Sequence, residues 1–184
     1  MLSVGQLLFL CFLLAVSTVS AAMTPKTLYF AYGSNMLKSR LEERVGPVEV
    51  KGTATLSGYS VNYSKKSKDG SGKFNIIKDT AGSPTGIVYG RLFEVPAARI
   101  PVLDKFEGSQ YAKTEVTVNT DSGPRKAVTY IGKPAYVSDK HLKPTAEYAK
   151  LVIDGAKEAQ LPEAYIDHLR MAEIGKVGPF TRQN

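Results

Sequence analysis

Apolar residues change their spacing once along this chain, and the change limits the fold more than any other feature. Up to residue 131 they come in short alternating or continuous runs; beyond residue 146 they come at helical spacing. Thr27–Tyr32 is aromatic and apolar and stops at Gly33, which predicts a buried strand. Val48–Ser64 predicts one or two strands broken near Ser57-Gly58. Phe74–Ile77 and Thr85–Val95 predict two more, with Gly82-Ser83-Pro84 as the turn between them. Tyr111–Asn119 and Lys126–Ile131 flank Asp121-Ser122-Gly123-Pro124 and predict a hairpin. Tyr148, Leu151, Val152, Gly155, Ala156 and Ala159 then mark one face of a helix, and Pro162 opens a second that runs to Ile174. Two helices are expected inside the strand-rich part. Met36–Val45 aligns Leu37, Leu41 and Val45, with Asn35 suited to cap it. Pro96–Gly108 is the other, with Pro101 breaking or kinking its first turn. The expected class is α+β: a curled, mixed or antiparallel sheet approaching a small β-barrel, flanked by helices.

Residues 1–22 differ from the rest. They hold no charge and carry the apolar run Leu7–Val16, followed by small residues in which Val19-Ser20-Ala21 fits a signal-peptidase site. The expectation is a signal peptide over 1–21, one domain over 22–184, and a secreted product with no membrane contact after leader removal. An uncleaved anchor is the competing reading, although the run is short for a membrane span. The sole cysteine, Cys11, lies in the leader, so the mature chain could form no disulfide framework. The net charge of +7 belongs to the mature part, and its densest group is Lys65, Lys66, Lys68, Lys73 and Lys78. This group reads either as a polyanion patch or as a solvated loop. No nucleic-acid-binding motif accompanies it, and nucleic acid is not expected as a partner. Asn62-Tyr63-Ser64 is an N-x-Ser sequon, so Asn62 is a candidate glycosylation site and would then lie at the surface.

The chemistry concentrates in Tyr29-Phe30-Ala31-Tyr32-Gly33-Ser34-Asn35 and, some way on, Leu103-Asp104-Lys105-Phe106-Glu107-Gly108. In the first, Gly33 allows backbone angles closed to other residues, and a helix is expected to begin at once. N–H groups at such a helix start suit an oxyanion or a carboxylate. In the second, Asp104 and Glu107 share a helix face, and either could act as a base. Glu107, at the turn between Phe106 and Gly108, is the better placed to face a cavity, where desolvation would raise its pKa. Other chemistries lack their residues. His141 and His168 are the only histidines, and His168 reads as a surface helix residue. There is no Gly-x-Ser-x-Gly elbow, no zinc ligand set and no phosphate-binding glycine loop. No cofactor and no metal are expected.

Tyr29 to Met36, Leu103-Asp104 with Glu107-Gly108 and Tyr111, then Tyr130, in that order, resemble the γ-glutamylcyclotransferases. Ala146–Leu169, with Gly155-Ala156-Lys157-Glu158, Leu161-Pro162 and Tyr165, resembles the same family's C-terminal helices. The resemblance covers essentially all of the mature chain. It implies a cofactor-free cyclisation: a γ-glutamyl amino acid or dipeptide folds back, its α-amine attacks its own γ-carbonyl, and 5-oxoproline and an amino acid result. It implies Glu107 as the acid/base. It also implies a substrate site lined by Tyr29, Phe30, Ala31, Tyr32, Gly33, Ser34 and Asn35, a Tyr130 hydroxyl that contacts substrate, and a homodimer. The Leu-Asp-x-Phe-Glu-Gly phrasing also resembles γ-glutamylamine cyclotransferases acting on γ-glutamyl-ε-lysine. A catalytically silent secreted binding protein on the same fold is the alternative of a different class.

Overall fold

The computed structural model describes residues 24–79, 85–176 and 178–181. The expected leader, residues 1–21, and the Gly82-Ser83-Pro84 turn lie outside the described residues. Seven strands are present among the described residues: β1 (Lys26–Ala31), β2 (Glu49–Ser57), β3 (Tyr59–Lys66), β4 (Gly72–Lys78), β5 (Ile87–Pro96), β6 (Tyr111–Thr120) and β7 (Gly123–Gly132). The helices are α1 (Lys38–Val45), α2 (Ile100–Glu107), α3 (Ala146–Glu158) and α4 (Glu163–Glu173).

Five strands close into a barrel in the order β1-β5-β2-β6-β7, and β3 with β4 forms a separate two-stranded sheet. Every barrel pairing is antiparallel except the seam, where β1 meets β7 in parallel through Tyr29 and Val128. This is the mixed, curled sheet that the apolar spacing predicts. Side chains add to the short seam: the Thr129 hydroxyl, fully buried, donates to the Phe30 carbonyl at 2.8 Å. The core runs through the barrel and out beneath α3 and α4, with Phe30, Leu92, Phe93, Val152, Tyr165 and Leu169 all buried. No helix among the described residues is long and apolar enough to cross a membrane.

Several local expectations are corrected. The helix after Asn35 does not start at once. Ser34–Met36 forms a short 3₁₀ turn, Leu37 is extended, and α1 begins at Lys38 with no side-chain cap. Asn35 therefore caps nothing. Its amide is drawn inward instead, because a buried carboxylate offers a stronger partner than a solvated helix end. Gly33 has φ −116°, and an added Cβ would meet nothing closer than 3.6 Å, so its backbone does not demand glycine. Pro101 does not break α2; it sits in the helix's first turn, where no N–H is missed, after a short 3₁₀ turn over Ala97–Arg99. The lysine group is not one solvated loop, since β3 extends to Lys66 and β4 begins at Gly72, which places Lys65, Lys66, Lys73 and Lys78 in strands. Asn62 is not at the open surface. It lies half-buried within β3, with Oδ1 buried and Ser64 beside it 1% exposed. His168 is not a surface residue either: it packs between Tyr165 and Phe180 on the inner side of α4.

Candidate active site

The C-terminal end of β1, the 3₁₀ turn and the end of α2 converge on one small cleft of about 40 Å³. β1 brings Tyr29, buried like the Phe30 and Ala31 that follow it. The turn brings Gly33, Ser34 and Asn35; α2 brings Glu107; and β7 brings Tyr130. α3 holds the turn in place through Gly155. A Cβ there would fall 2.6 Å from the Leu37 nitrogen and 2.9 Å from Met36 Cβ, so only glycine lets helix and turn meet this closely.

Glu107 is the electrostatic centre. Its Oε1 accepts from Asn35 Nδ2 at 2.9 Å and from Arg44 Nη1 at 3.2 Å. No partner is recorded for Oε2 among the described residues, so this is the oxygen left for a ligand. Burial pushes the Glu107 pKa above its ordinary value, while Arg44, Asn35, Arg40 and Lys65 pull the other way without cancelling it. The second Nδ2 proton of Asn35 goes to the Tyr29 hydroxyl at 2.9 Å. That leaves Asn35 Oδ1 buried and without a hydrogen-bond partner among the described residues. Such an atom is costly unless something fills the site.

Asp104, the other acidic candidate, is fully engaged. Its Oδ1 accepts from the Tyr130 hydroxyl at 2.7 Å and its Oδ2 from Lys113 Nζ at 2.8 Å. Burial works against ionisation there, but the Lys113 and Tyr130 hydrogen bonds outweigh it and hold the carboxyl below its usual range. Because the Tyr130 proton points at Asp104, this hydroxyl can only accept from a ligand. Tyr29, Tyr32, Tyr111 and Tyr148 complete the wall, each with its phenol pKa raised by burial.

The cleft thus gathers Tyr29, Tyr32, Gly33, Ser34, Asn35, Glu107 and Tyr130, residues singled out in the sequence. It does not include Phe30 and Ala31, which are buried and absent from its lining. Alternation along β1 gives the reason for Phe30, which faces opposite to Tyr29; it does not account for Ala31, which shares the side of Tyr29. Phe74 and Tyr148 in its wall, and Arg44 bonded to Glu107, are what sequence reasoning missed. Arg44 sits on the polar face of α1, where a charged residue reads as solvated, and Tyr148 on the apolar stripe of α3, where it reads as core. The arrangement suits proton transfer: a desolvated carboxylate anchored by one oxygen, next to a turn whose Gly33, Ser34 and Asn35 N–H groups make no turn or loop backbone bond among the described residues.

Comparison with known proteins supports the family and the fold. The profile of the AIG2-like family matches residues 87–169. The γ-glutamylcyclotransferase of Bos taurus is 30% identical over 153 residues, covering 79% of this chain and 78% of the relative. That of Homo sapiens is 29% identical over 150 residues, with the same coverage. Among solved structures, a γ-glutamyl cyclotransferase at 24% identity superposes with a TM-score of 0.69, covering 87% of this chain and 92% of the other. An uncharacterised Homo sapiens protein at 25% identity gives the same TM-score over 86% of this chain and 92% of its own.

Proposed function

The chain belongs to the γ-glutamylcyclotransferase family, and on that premise we propose that it converts γ-glutamyl amino acids or dipeptides to 5-oxoproline and a free amino acid, with Glu107 as the acid/base. The observation that carries this reading is the desolvated Glu107 carboxylate, anchored through Oε1 and free at Oε2, on a cleft otherwise lined by tyrosines and the Gly33–Asn35 turn.

The substrate's α-ammonium cannot attack until it loses a proton. Glu107 Oε2 takes that proton, and its burial-raised pKa makes it a stronger acceptor than an ordinary carboxylate. The orphan Asn35 Oδ1 and the Tyr130 hydroxyl oxygen, both acceptors, are suited to orient the amine. The freed nitrogen attacks the γ-carbonyl carbon and closes the five-membered ring, and the carbonyl oxygen takes up negative charge. N–H groups of Met36 and Leu37 are spent on the Gly33 and Ser34 carbonyls, so those of Gly33, Ser34 and Asn35 serve the oxyanion or the substrate's α-carboxylate. Collapse breaks the old C–N bond as Glu107 returns its proton to the departing amine, and the second proton shed by the ring nitrogen as it becomes an amide leaves that amine as an ammonium. A folded-back substrate held in a narrow cleft supplies much of the acceleration.

The test is 5-oxoproline release from γ-glutamyl-alanine. Glu107→Gln should lower kcat by about 10²–10⁴-fold, the usual worth of a general base. Equal activity in the two proteins would sink the mechanism.

Residues 1–21 serve, on this reading, as an export leader for a single domain over 22–184. Their uncharged apolar run and the Val19-Ser20-Ala21 site support it. N-terminal sequencing of the chain recovered from culture medium should begin near Ala22; retention of an intact Met1 inside the cell would reject it. Assembly as a homodimer rests on the family resemblance, and light scattering reads it directly.

A further inference from the structure

The cleft does not end at Glu107. It continues into a second cavity of about 210 Å³, and the two share Ser34, Glu107, Tyr111 and Tyr148. The outer wall carries four cations, Arg40, Arg44, Lys65 and Lys73, against the single carboxylate of Glu107. Arg44 is the one that meets it. Arg40 Nε donates to the neutral Ser34 hydroxyl at 3.2 Å. The Lys73 ammonium lies 4.4 Å from the centre of the Tyr148 ring.

Lys65 is the telling member. It was expected in a solvated loop, yet it is 5% exposed at the end of β3. Its ammonium bonds the neutral side-chain amide of Gln110 and sits 5.0 Å from the centre of the Tyr111 ring. A lysine this buried is rarely left without a carboxylate in direct contact, because desolvating the ammonium is costly. Burial first, and then the neighbouring Lys73, lower its pKa against smaller opposing pulls from the Glu107 and Asp69 carboxylates, so the cavity holds more positive charge than it neutralises. An anion entering the cavity would offset that excess.

We propose that Lys65, together with Arg40 and Lys73, forms a carboxylate-binding subsite for the part of the substrate beyond the scissile amide: the free carboxylate of the amino acid or dipeptide that leaves. The assignment rests on the cyclotransferase reading above. With the glutamyl part folded against Glu107 and the Gly33–Asn35 turn, the leaving part extends toward the cationic wall. A leaving group with no carboxylate forgoes this attraction, and one that ends in an ammonium meets repulsion, so the subsite selects against γ-glutamyl derivatives of plain amines and diamines.

The experiment compares γ-glutamyl-alanine with γ-glutamyl-alaninamide, in which the carboxylate is capped as a neutral amide. In the unaltered protein the acid should exceed the amide in kcat/KM by tenfold or more, mainly through KM. In Lys65→Met that preference should shrink to about twofold. Lys73→Gln, at a half-exposed position, should shrink it partway and serves as the reporter if the Lys65 variant fails to fold. Equal kcat/KM for acid and amide in the unaltered protein would overturn the subsite alone. So would variants that slow both substrates in the same proportion, because that is the signature of a structural role. No 5-oxoproline from either substrate would overturn the cyclotransferase reading and the subsite with it.

Discussion

Both Nδ2 protons of Asn35 are spent, one on Tyr29 and one on Glu107, so removing this side chain acts on the base and not on a helix start. Asn35→Ala should lower kcat by about 10–100-fold, because a base free to swing loses its alignment with the amine. The pH profile makes the role specific. Only ionised Glu107 accepts a proton, so activity falls as pH drops through its pKa, which burial sets above that of an ordinary glutamate. Hydrogen bonds from Asn35 and Arg44 favour the ionised form. Removing either should therefore shift the acid limb of kcat/KM to higher pH, and a shift to lower pH in Asn35→Ala or Arg44→Met would contradict the geometry. The sequence made Glu107 and Asn35 visible by type and spacing, yet not the bond between them, since they lie far apart in the chain. Arg44 was hidden for a related reason: a charged residue on a helix's polar face looks the same whether it meets water or a neighbour's carboxylate.

At the level of elements, the site depends on how closely α3 approaches the turn after β1. Gly155 is a predicted helix-face position, and glycine there costs helix stability of about 1 kcal/mol relative to alanine. The contact with Met36 and Leu37 explains why glycine is nonetheless used. Gly155→Ala should improve the isolated helix and still destabilise the protein, by about 1–3 kcal/mol through overpacking. It should lower kcat as well, because the displaced turn carries Ser34 and Asn35. Thermal unfolding and 5-oxoproline assays on the same preparation check both. A variant that gains stability would show that the turn yields freely. Strand and helix positions were largely legible, because apolar spacing reports which face is buried. Element ends were less so: the 3₁₀ turn over Ser34–Met36 packs against α3 at Gly155, and the reach of β3 to Lys66 comes from its pairing with Gly72, neither of which the apolar period reports.

For the molecule as a whole, barrel closure is the event that assembles the cleft, and its seam is thin. β1 and β7 share one registered parallel pair, Tyr29 with Val128, so Thr129 and its bond to the Phe30 carbonyl carry weight beyond one hydrogen bond. Thr129→Val keeps the shape and deletes the donor. It should cost about 0.5–1.5 kcal/mol in denaturant unfolding and widen the spacing between Tyr29 and Tyr130, whose rings now sit 6.0 Å apart. No loss of stability would mean that the strand pairing alone holds the seam. The order of elements, the curled sheet, the C-terminal helices and the acidic candidate at the end of α2 could all be read from residue spacing, because burial writes a local period into the chain. What holds Asp104 away from a ligand and anchors Glu107 toward one, which residues of β1 line the cleft, and which lysines turn inward could not. Each depends on partners distant in the chain, such as Lys113 and Tyr130 for Asp104, Asn35 and Arg44 for Glu107, and Gln110 for Lys65. Those partners become neighbours once the barrel closes, and the loss of water on closure is what turns their charges into a site.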